Sequence, residues 1–438
     1  MKQAIILLLI FTAALYLGFN LHTMALSPVV LVAGIVVFFV TLVRTDIGLV
    51  ILIFSMLLSP EIAIADMPER AVVIRVDDIL IGVVFFTWLV KTALNKQMGF
   101  LKKTPLNAPM IAYILACLVS TTFGIMMGDV SAKKAMFYIL KFVEYFMLYF
   151  MFVNNITSRR QIKIFLGAFL VTALIICILG SVQIAQGVYR PTAPFEGKHA
   201  EPNSLAGYLL IVLAVVLSIF LHIRSAGQKV ILVGLFGLVF FVFMHTLSRS
   251  SYMAFFPMYF TLIIVSRKSK FLLLAVLTVA ILFGPMVVPG KVRDRVVDTF
   301  LIGETVDVMG RAVTLEGSAA ARIYHWQYGF RRWKESPLFG HGIVGIEFID
   351  SQYFRVLGEL GIVGLIIFFW VLSSVFRNCL WTYQSSQDAL SQIVSLALLA
   401  ALMGLLFQAI GVNTFIIVRV MEPFWFLAAL VAVAPEVA

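Results

Sequence analysis

The sequence predicts an all-α, polytopic integral membrane protein with about 12–14 transmembrane helices and one large loop outside the membrane. The 438 residues are 62% hydrophobic and only 13% charged, whereas soluble domains are about 45–50% apolar and about 25% charged. Apolar segments of nearly membrane-spanning length follow one another along most of the chain. Charged residues instead concentrate in one polar stretch at 290–359, which must lie in water at a membrane face.

Each apolar segment is interpreted as one helix, because about 20 apolar residues cross the hydrocarbon core. The first segment resembles a signal peptide, but it lacks a convincing A-x-A cleavage site, and a second apolar segment follows at once. The third is short and ends at Ser59-Pro60, so twelve or thirteen helices are also compatible with the pattern. The segments lie near 3–20, 28–43, 46–59, 76–94, 108–127, 132–153, 161–186, 203–222, 229–246, 250–266, 271–288, 352–376, 389–410 and 414–434.

The predicted organisation has three parts. About eleven helices with short loops occupy 1–289, a large loop with an amphipathic helix occupies 290–351, and about three helices occupy 352–438. With the N-terminus inside, short cytoplasmic loops hold fourteen Lys and Arg residues and short outer loops hold seven. This asymmetry follows the positive-inside rule, so we expect the large loop in the periplasm of a Gram-negative cell.

The net charge of +11 is explained mainly by these orienting residues, so nucleic acid is not an expected partner. The remaining positive charge in the large loop suits an anionic ligand such as phosphate. The three cysteines lie in or beside apolar segments and form neither metal-ligand spacing nor a disulfide framework. We expect no metal site and no cofactor.

Two pairs of ionisable residues lie in or beside predicted helices. Lys141 and Glu144 are three residues apart and therefore share one helical face, where they form a neutralised structural contact or line a polar cavity. Asp77 and Asp78 begin the fourth helix, and carboxylates in a first turn complement the helix dipole.

The loop 187–202 is rich in Pro and Gly and concentrates ionisable groups. It either forms a capped turn, with Pro202 as a stop and Asn203 as an N-cap, or contributes to a site. Its candidate substrate-binding residues are Arg190, His199 and Glu201.

Arg249 lies between the ninth and tenth helices, at the outer membrane boundary. Its side chain can snorkel to the interface, but serine hydroxyls flank it in the segment His245-Thr-Leu-Ser-Arg-Ser-Ser251. We therefore favour anion binding. Within the large loop, the aromatic residues of 322–334 predict an amphipathic helix at the membrane interface.

Five short motifs occur in a fixed order. The motifs are Glu201-Pro-Asn203, Thr246-Leu-Ser-Arg249, Arg322 with Trp326, Pro337-Leu-Phe-Gly340-x-Gly342, and Glu359-x-Gly361. Their order resembles the bacterial O-antigen ligase and O-antigen/exopolysaccharide polymerase superfamily, and with Arg75-Val-Asp-Asp the resemblance covers most of the chain.

The resemblance implies a metal-independent glycosyltransferase of the bacterial inner membrane that uses an undecaprenyl-diphosphate-linked oligosaccharide at the periplasmic face. The acceptor is a lipid-linked repeat unit in polymerases and lipid A-core in ligases, which act in exopolysaccharide and lipopolysaccharide biosynthesis. Membrane lipids and polysaccharide-assembly proteins are further expected partners.

The family's two diphosphate-binding arginines fall on Arg249 and Arg322, and guanidinium groups suit phosphate oxygens. Ligases carry a His-Asn pair nine residues before the Glu of the Glu-x-Gly motif, and this chain has Asp350-Ser351 there. An aspartate can act as general base toward a sugar hydroxyl, so the departure favours a polymerase. Asp350 is the candidate catalytic base, with His341 in reserve, and Tyr353 is a further candidate for substrate binding.

Two rival functions need no chemistry. A transporter or flippase typically has internal repeats and broken helices near the midplane, but the halves show no convincing repeat and ionisable groups cluster at the outer face. A membrane scaffold for polysaccharide assembly would not explain Arg249 and Arg322 together.

Overall fold

The computed structural model describes residues 28–65, 72–94, 101–196, 200–268, 270–287, 290, 304–308, 311–315 and 317–437. The first predicted helix, near 3–20, lies outside them. Before the polar stretch, the helices are α1 (Pro28–Val43), α2 (Thr45–Leu58), α3 (Val76–Leu94), α4 (Asn107–Met127), α5 (Ala132–Asn155), α6 (Arg159–Ala185), α7 (Pro202–His222), α8 (Ala226–His245), α9 (Arg249–Val265) and α10 (Lys270–Val287). Helices α11 (Gly317–Glu335) and α12 (Gln352–Ser385) begin within it, and α13 (Ala389–Gln408) and α14 (Val418–Val433) follow it.

The all-α membrane class is confirmed. Among the described residues, seven helices are long and apolar enough to cross a membrane, namely α4, α5, α6, α7, α8, α12 and α13. Two antiparallel hairpins lie in connections between helices. They pair β1 (Glu61–Ala65) with β2 (Val72–Arg75), and β3 (Glu304–Val308) with β4 (Arg311–Leu315).

The helices α7, α13 and α14 form the centre of the bundle. Of the spanning residues, 89% are buried in α7 and 78% in α13, against 22% in α8. Helix α9 packs along α13, and α14 packs against both α5 and α7. Helix α8 is as apolar as α7 and yet much less buried, so composition alone does not identify the central helices.

The predicted span at 352–376 differs from the observed helix, because α12 is interrupted at Gly361. That residue has φ 66° and ψ −168°, a conformation that glycine adopts far more readily than other residues. An added Cβ would overlap the carbonyl oxygen of Leu338. Residues 352–360 therefore form a separate helical segment before the spanning part of α12.

The turn 337–342 packs into this interruption through backbone hydrogen bonds. The N–H groups of His341 and Gly342 donate to the carbonyls of Gly358 and Glu359, at 3.0 and 2.8 Å. The N–H of Ile362 donates to Pro337 at 2.9 Å. Two motifs that the sequence shows separately thus form one paired backbone unit, in which groups freed by the kink are satisfied.

Candidate active site

Arg249 is the first residue of α9. The turn before it is tight, because Leu247 has φ 50° and the Thr246 hydroxyl donates to the Phe243 carbonyl at 2.7 Å. Ser248 occupies the N-cap position. The first N–H groups of a helix lack helical partners and the dipole is positive there, so this end favours anions.

A network of side-chain hydrogen bonds joins this turn to the start of α7 and the end of α13. The Ser248 hydroxyl donates to Asn203 Oδ1 at 2.8 Å, and the Asn203 amide donates to Glu201 Oε1 at 3.2 Å. Gln408 donates to the Ser251 hydroxyl at 2.8 Å and to the Asn203 carbonyl at 3.3 Å. The predicted N-cap role of Asn203 is wrong, because α7 begins one residue earlier and Glu201 occupies that position.

Arg190 and Glu201 both reach the turn that precedes Arg249. The Arg190 Nε donates to the carbonyl of Thr246 at 2.8 Å, and Glu201 is joined to Ser248 through Asn203. The structure therefore brings two of the three candidates of the 187–202 loop to Arg249. His199 lies outside the described residues.

Arg322 reaches the same place from α11. A Cβ added to Gly411 would lie 3.0 Å from Arg322 Nε and 3.1 Å from Ser250 Oγ. Both groups therefore pack on the same face of Gly411, which puts the Arg322 guanidinium beside the first turn of α9. A glycine at 411 permits this approach because it has no side chain.

Asp350 is held between α11 and the loop 409–413. Its N–H donates to Nδ1 of His325 at 3.2 Å, and His325 lies three residues after Arg322 on α11. The carbonyl of Ile349 accepts from the Asn413 amide at 2.6 Å. Within the described residues, the half-buried Asp350 carboxylate has no hydrogen bond or ion pair, so both its oxygens are available to a substrate.

His341 is engaged on both ring nitrogens. Its Nε2 donates to the Arg332 carbonyl at 2.8 Å, and its Nδ1 lies 2.7 Å from Asp129 Oδ2. The side chain is 5% exposed. This geometry makes His341 a link between α11, the turn 337–342 and the α4–α5 connection, rather than an accessible base.

Tyr353 packs between α12 and α13. Its hydroxyl donates to the Leu406 carbonyl at 2.6 Å, and its ring stacks on Phe369 with centroids 5.7 Å apart. The hydroxyl is therefore already bonded within the bundle.

Glu196 connects the 187–202 loop to the last helix. Its Oε2 accepts the Glu201 N–H at 3.0 Å, and its Oε1 lies 3.2 Å from Arg419 Nε. Burial raises the pKa of the Glu196 carboxyl to about 7, with Arg419 opposing and Glu61 reinforcing the shift.

Several residues of this arrangement were not singled out from the sequence. The sequence does contain a signal for the loop after α13, because polar residues and a glycine separate the last two apolar segments. A lone arginine inside the last apolar segment was a second signal, because intramembrane charges are rare. The residues missed are His325, Gln408, Gly411, Asn413 and Arg419.

Residues 234–369 match a family model described as O-antigen ligase, which covers just under a third of the chain. This segment is similar to the O-antigen ligase family. The resemblance to the O-antigen ligase and polymerase superfamily is thereby confirmed. No curated protein matches the chain.

The matched segment contains Arg249, Arg322 and Asp350. Arg190 and Glu201 precede the matched segment, and Gly411 follows it. The candidate site is therefore assembled from the matched segment and from loop residues on either side of it.

Proposed function

We propose that the chain is a membrane glycosyltransferase that polymerises glycan repeat units linked to undecaprenyl diphosphate at the periplasmic face of the inner membrane. The approach of Arg322 and Ser250 at Gly411, beside Arg249, carries this proposal. Guanidinium forks bind phosphate oxygens in a bidentate manner. Two of them at a helix N-terminus suit the two phosphates of the donor.

In the proposed reaction, a sugar hydroxyl of the acceptor attacks the anomeric carbon of the donor. The new C–O bond forms as the bond between that carbon and the diphosphate oxygen breaks. Asp350 accepts the hydroxyl proton. The diphosphate leaves with the bonding electrons, and Arg249 and Arg322 stabilise its charge, which is the role a metal ion would otherwise serve.

A single displacement of this kind inverts the anomeric carbon. Arg190 and Glu201 are proposed to contact the acceptor or the donor sugar, since both adjoin the Arg249 turn. Polymerisation is favoured over ligation because Asp350-Ser351 stands where ligases carry His-Asn. In the alternative, an O-antigen ligase, the acceptor is lipid A-core.

The test is a deletion strain complemented with wild type, Arg249→Ala, Arg322→Ala or Asp350→Ala, with surface glycans resolved on a gel. The exposed Arg377→Ala is the matched control, because it removes a guanidinium from the far part of α12. Single-repeat glycan or lost exopolysaccharide in the three variants is expected for a polymerase. Full-length polymer retained on undecaprenyl diphosphate would indicate the ligase.

A transporter or flippase remains the alternative from another class. It would move the lipid-linked glycan without breaking the bond to diphosphate. If all three variants restored normal glycan as well as Arg377→Ala does, the proposed site would be wrong and a transporter would be favoured.

A further inference from the structure

A second group of charged side chains is buried where β2, α3, α5 and α14 meet. Arg75 pairs with Asp77, and Lys141 Nζ lies 2.6 Å from Asp78 Oδ1. The predicted pair of Lys141 with Glu144 is confirmed at 3.0 Å. The inner cluster is Arg75, Asp77, Asp78, Lys141, Glu144 and Glu422.

The inner cluster holds more negative than positive charge. Its four carboxylates face one guanidinium and one ammonium group, which leaves an excess of two negative charges when all are ionised. The nearest further cation, Arg419, is shared between Glu61 at 3.5 Å and Glu196 at 3.2 Å. Buried charge without a counter-charge is strongly unfavourable, so this excess requires compensation.

Glu422 is the least satisfied member of the inner cluster. Its side chain is 0% exposed, and neither carboxylate oxygen has a hydrogen bond. Its closest cation is Arg75, whose Nη2 lies 3.9 Å from Oε2. One oxygen each from Glu422, Asp77 and Asp78 lie within 4.8 Å of one another. The buried Glu422 carboxylate, which accepts no hydrogen bond, thus faces two other acidic groups, Asp77 and Asp78.

We infer that Asp77, Asp78 and Glu422 bind one divalent cation of the size of calcium. Calcium–oxygen distances of about 2.3–2.6 Å allow ligand oxygens up to about 5 Å apart. Magnesium–oxygen distances are about 2.0–2.1 Å, so magnesium requires ligand oxygens that lie closer together. A single dication cancels the excess of two charges. Arg75 and the cation can share Asp77, because each carboxylate oxygen has two lone pairs.

The cation reaches the triad from the side of Asp78, whose side chain is 16% exposed. Once bound, it fixes the first turn of α3 to α14, and it therefore acts on stability rather than on the diphosphate. The residues that hold it are separate from Arg249, Arg322 and Asp350.

The test uses full-length protein in lipid nanodiscs, stripped with a chelator and then dialysed against radioactive calcium. One calcium ion per chain is expected, with a higher Tm in calcium than in chelator and a smaller rise in magnesium. Glu422→Gln keeps the side-chain shape and should weaken calcium binding at least tenfold and abolish the calcium-dependent Tm shift. The control is Glu436→Gln, an exposed carboxylate that is paired with Lys102.

The inference fails if the wild type binds no calcium or if Glu422→Gln binds it as the wild type does. A Glu422→Gln variant that is more stable than a calcium-indifferent wild type would show that protons neutralise the cluster, which also overturns it. If Glu422→Gln does not fold, Asp78→Asn at the edge of the cluster is measured in the same way. Retained calcium binding in that variant would contradict the assignment.

Discussion

Arg322 and Arg249 belong to helices far apart in the sequence, and Gly411 is where their surroundings meet. The Arg322 guanidinium and the hydroxyl of Ser250, the residue after Arg249, both lie close to where a Cβ on that glycine would be. The proposed donor site therefore depends on three separate elements. Replacing either arginine should lower the transfer rate more than the stability of the fold, because neither side chain is part of the buried core.

Replacing Arg249 or Arg322 with alanine should lower the transfer rate about 10²–10³-fold, the loss typical when one group that stabilises developing negative charge is removed. Arg249→Lys should fall between, since lysine keeps the charge and loses the fork. The measurement is initial transfer rate in membranes with labelled lipid-linked donor, with Arg377→Ala as control. Wild-type rates in both alanine variants would refute the donor site.

Asp350→Asn should lower the transfer rate about 10²–10⁴-fold, the usual contribution of a general base. Its Tm should not change, because the carboxylate has no bond within the described residues. His341→Gln should instead lower the Tm, because it removes the contact of the buried imidazole with Asp129. Rates and thermal unfolding are measured on both variants. A fully active Asp350→Asn would remove the proposed base.

The sequence points to Arg249 and Arg322 because each lies in a short motif, and to Asp350 because it lies nine residues before Glu359 of the Glu-x-Gly motif. The spacing of Lys141 and Glu144 also predicts their contact, since both lie on one helix. The third partner, Asp78, comes from another helix. Contacts of that kind depend on how helices pack, which a single sequence does not specify.

The length of the apolar segments predicts the positions of the helices well. The predicted segments near 108–127 and 203–222 begin and end close to α4 and α7. The interruption of α12 was missed, because apolar residues continue on both sides of Gly361. A glycine within a helical pattern is usually tolerated. Only the structure shows the positive φ of Gly361 and the close approach of the Leu338 carbonyl, which leaves no room for a side chain.

Gly361→Ala should destabilise the protein by at least about 1–3 kcal/mol, because a strained backbone and a steric overlap both oppose it. Displacement of the turn 337–342 should also reduce transfer. Gly237→Ala is the control, since a Cβ there meets nothing within 4 Å and alanine favours a helix. The measurement is the Tm of the two purified variants, determined by thermal unfolding. Equal Tm values would contradict the paired unit.

At the scale of the whole molecule, the buried centre of α7, α13 and α14 ends in polar groups that hold the candidate site. Arg419 at the start of α14 pairs with Glu196, and Glu196 accepts the N–H of Glu201. The last helix is thereby coupled to the loop that adjoins Arg249. This long-range coupling is not predictable from the sequence, because nothing in the apolar segment near 414–434 indicates which residue pairs with Arg419.

Glu196 should make stability depend on pH. Its pKa is raised in the folded protein to about 7, above the ordinary value of about 4.3 for an unfolded glutamate. Its contribution is fully present below the unfolded value and is lost as pH rises through the folded value. The Tm should therefore fall between about pH 4.3 and pH 7. In Glu196→Gln this part of the decline should be absent, and an unchanged profile would contradict the assignment.

The proposed reaction breaks the bond between a glycan and undecaprenyl diphosphate. The most direct measurement is purified protein in liposomes with labelled undecaprenyl-diphosphate-linked repeat units, followed by separation of lipid products. We predict longer lipid-linked chains together with free undecaprenyl diphosphate, and neither product with Arg322→Ala. If the wild-type protein leaves the donor intact and moves it across the bilayer with its glycan, the proposed transferase activity is contradicted and a transporter is favoured.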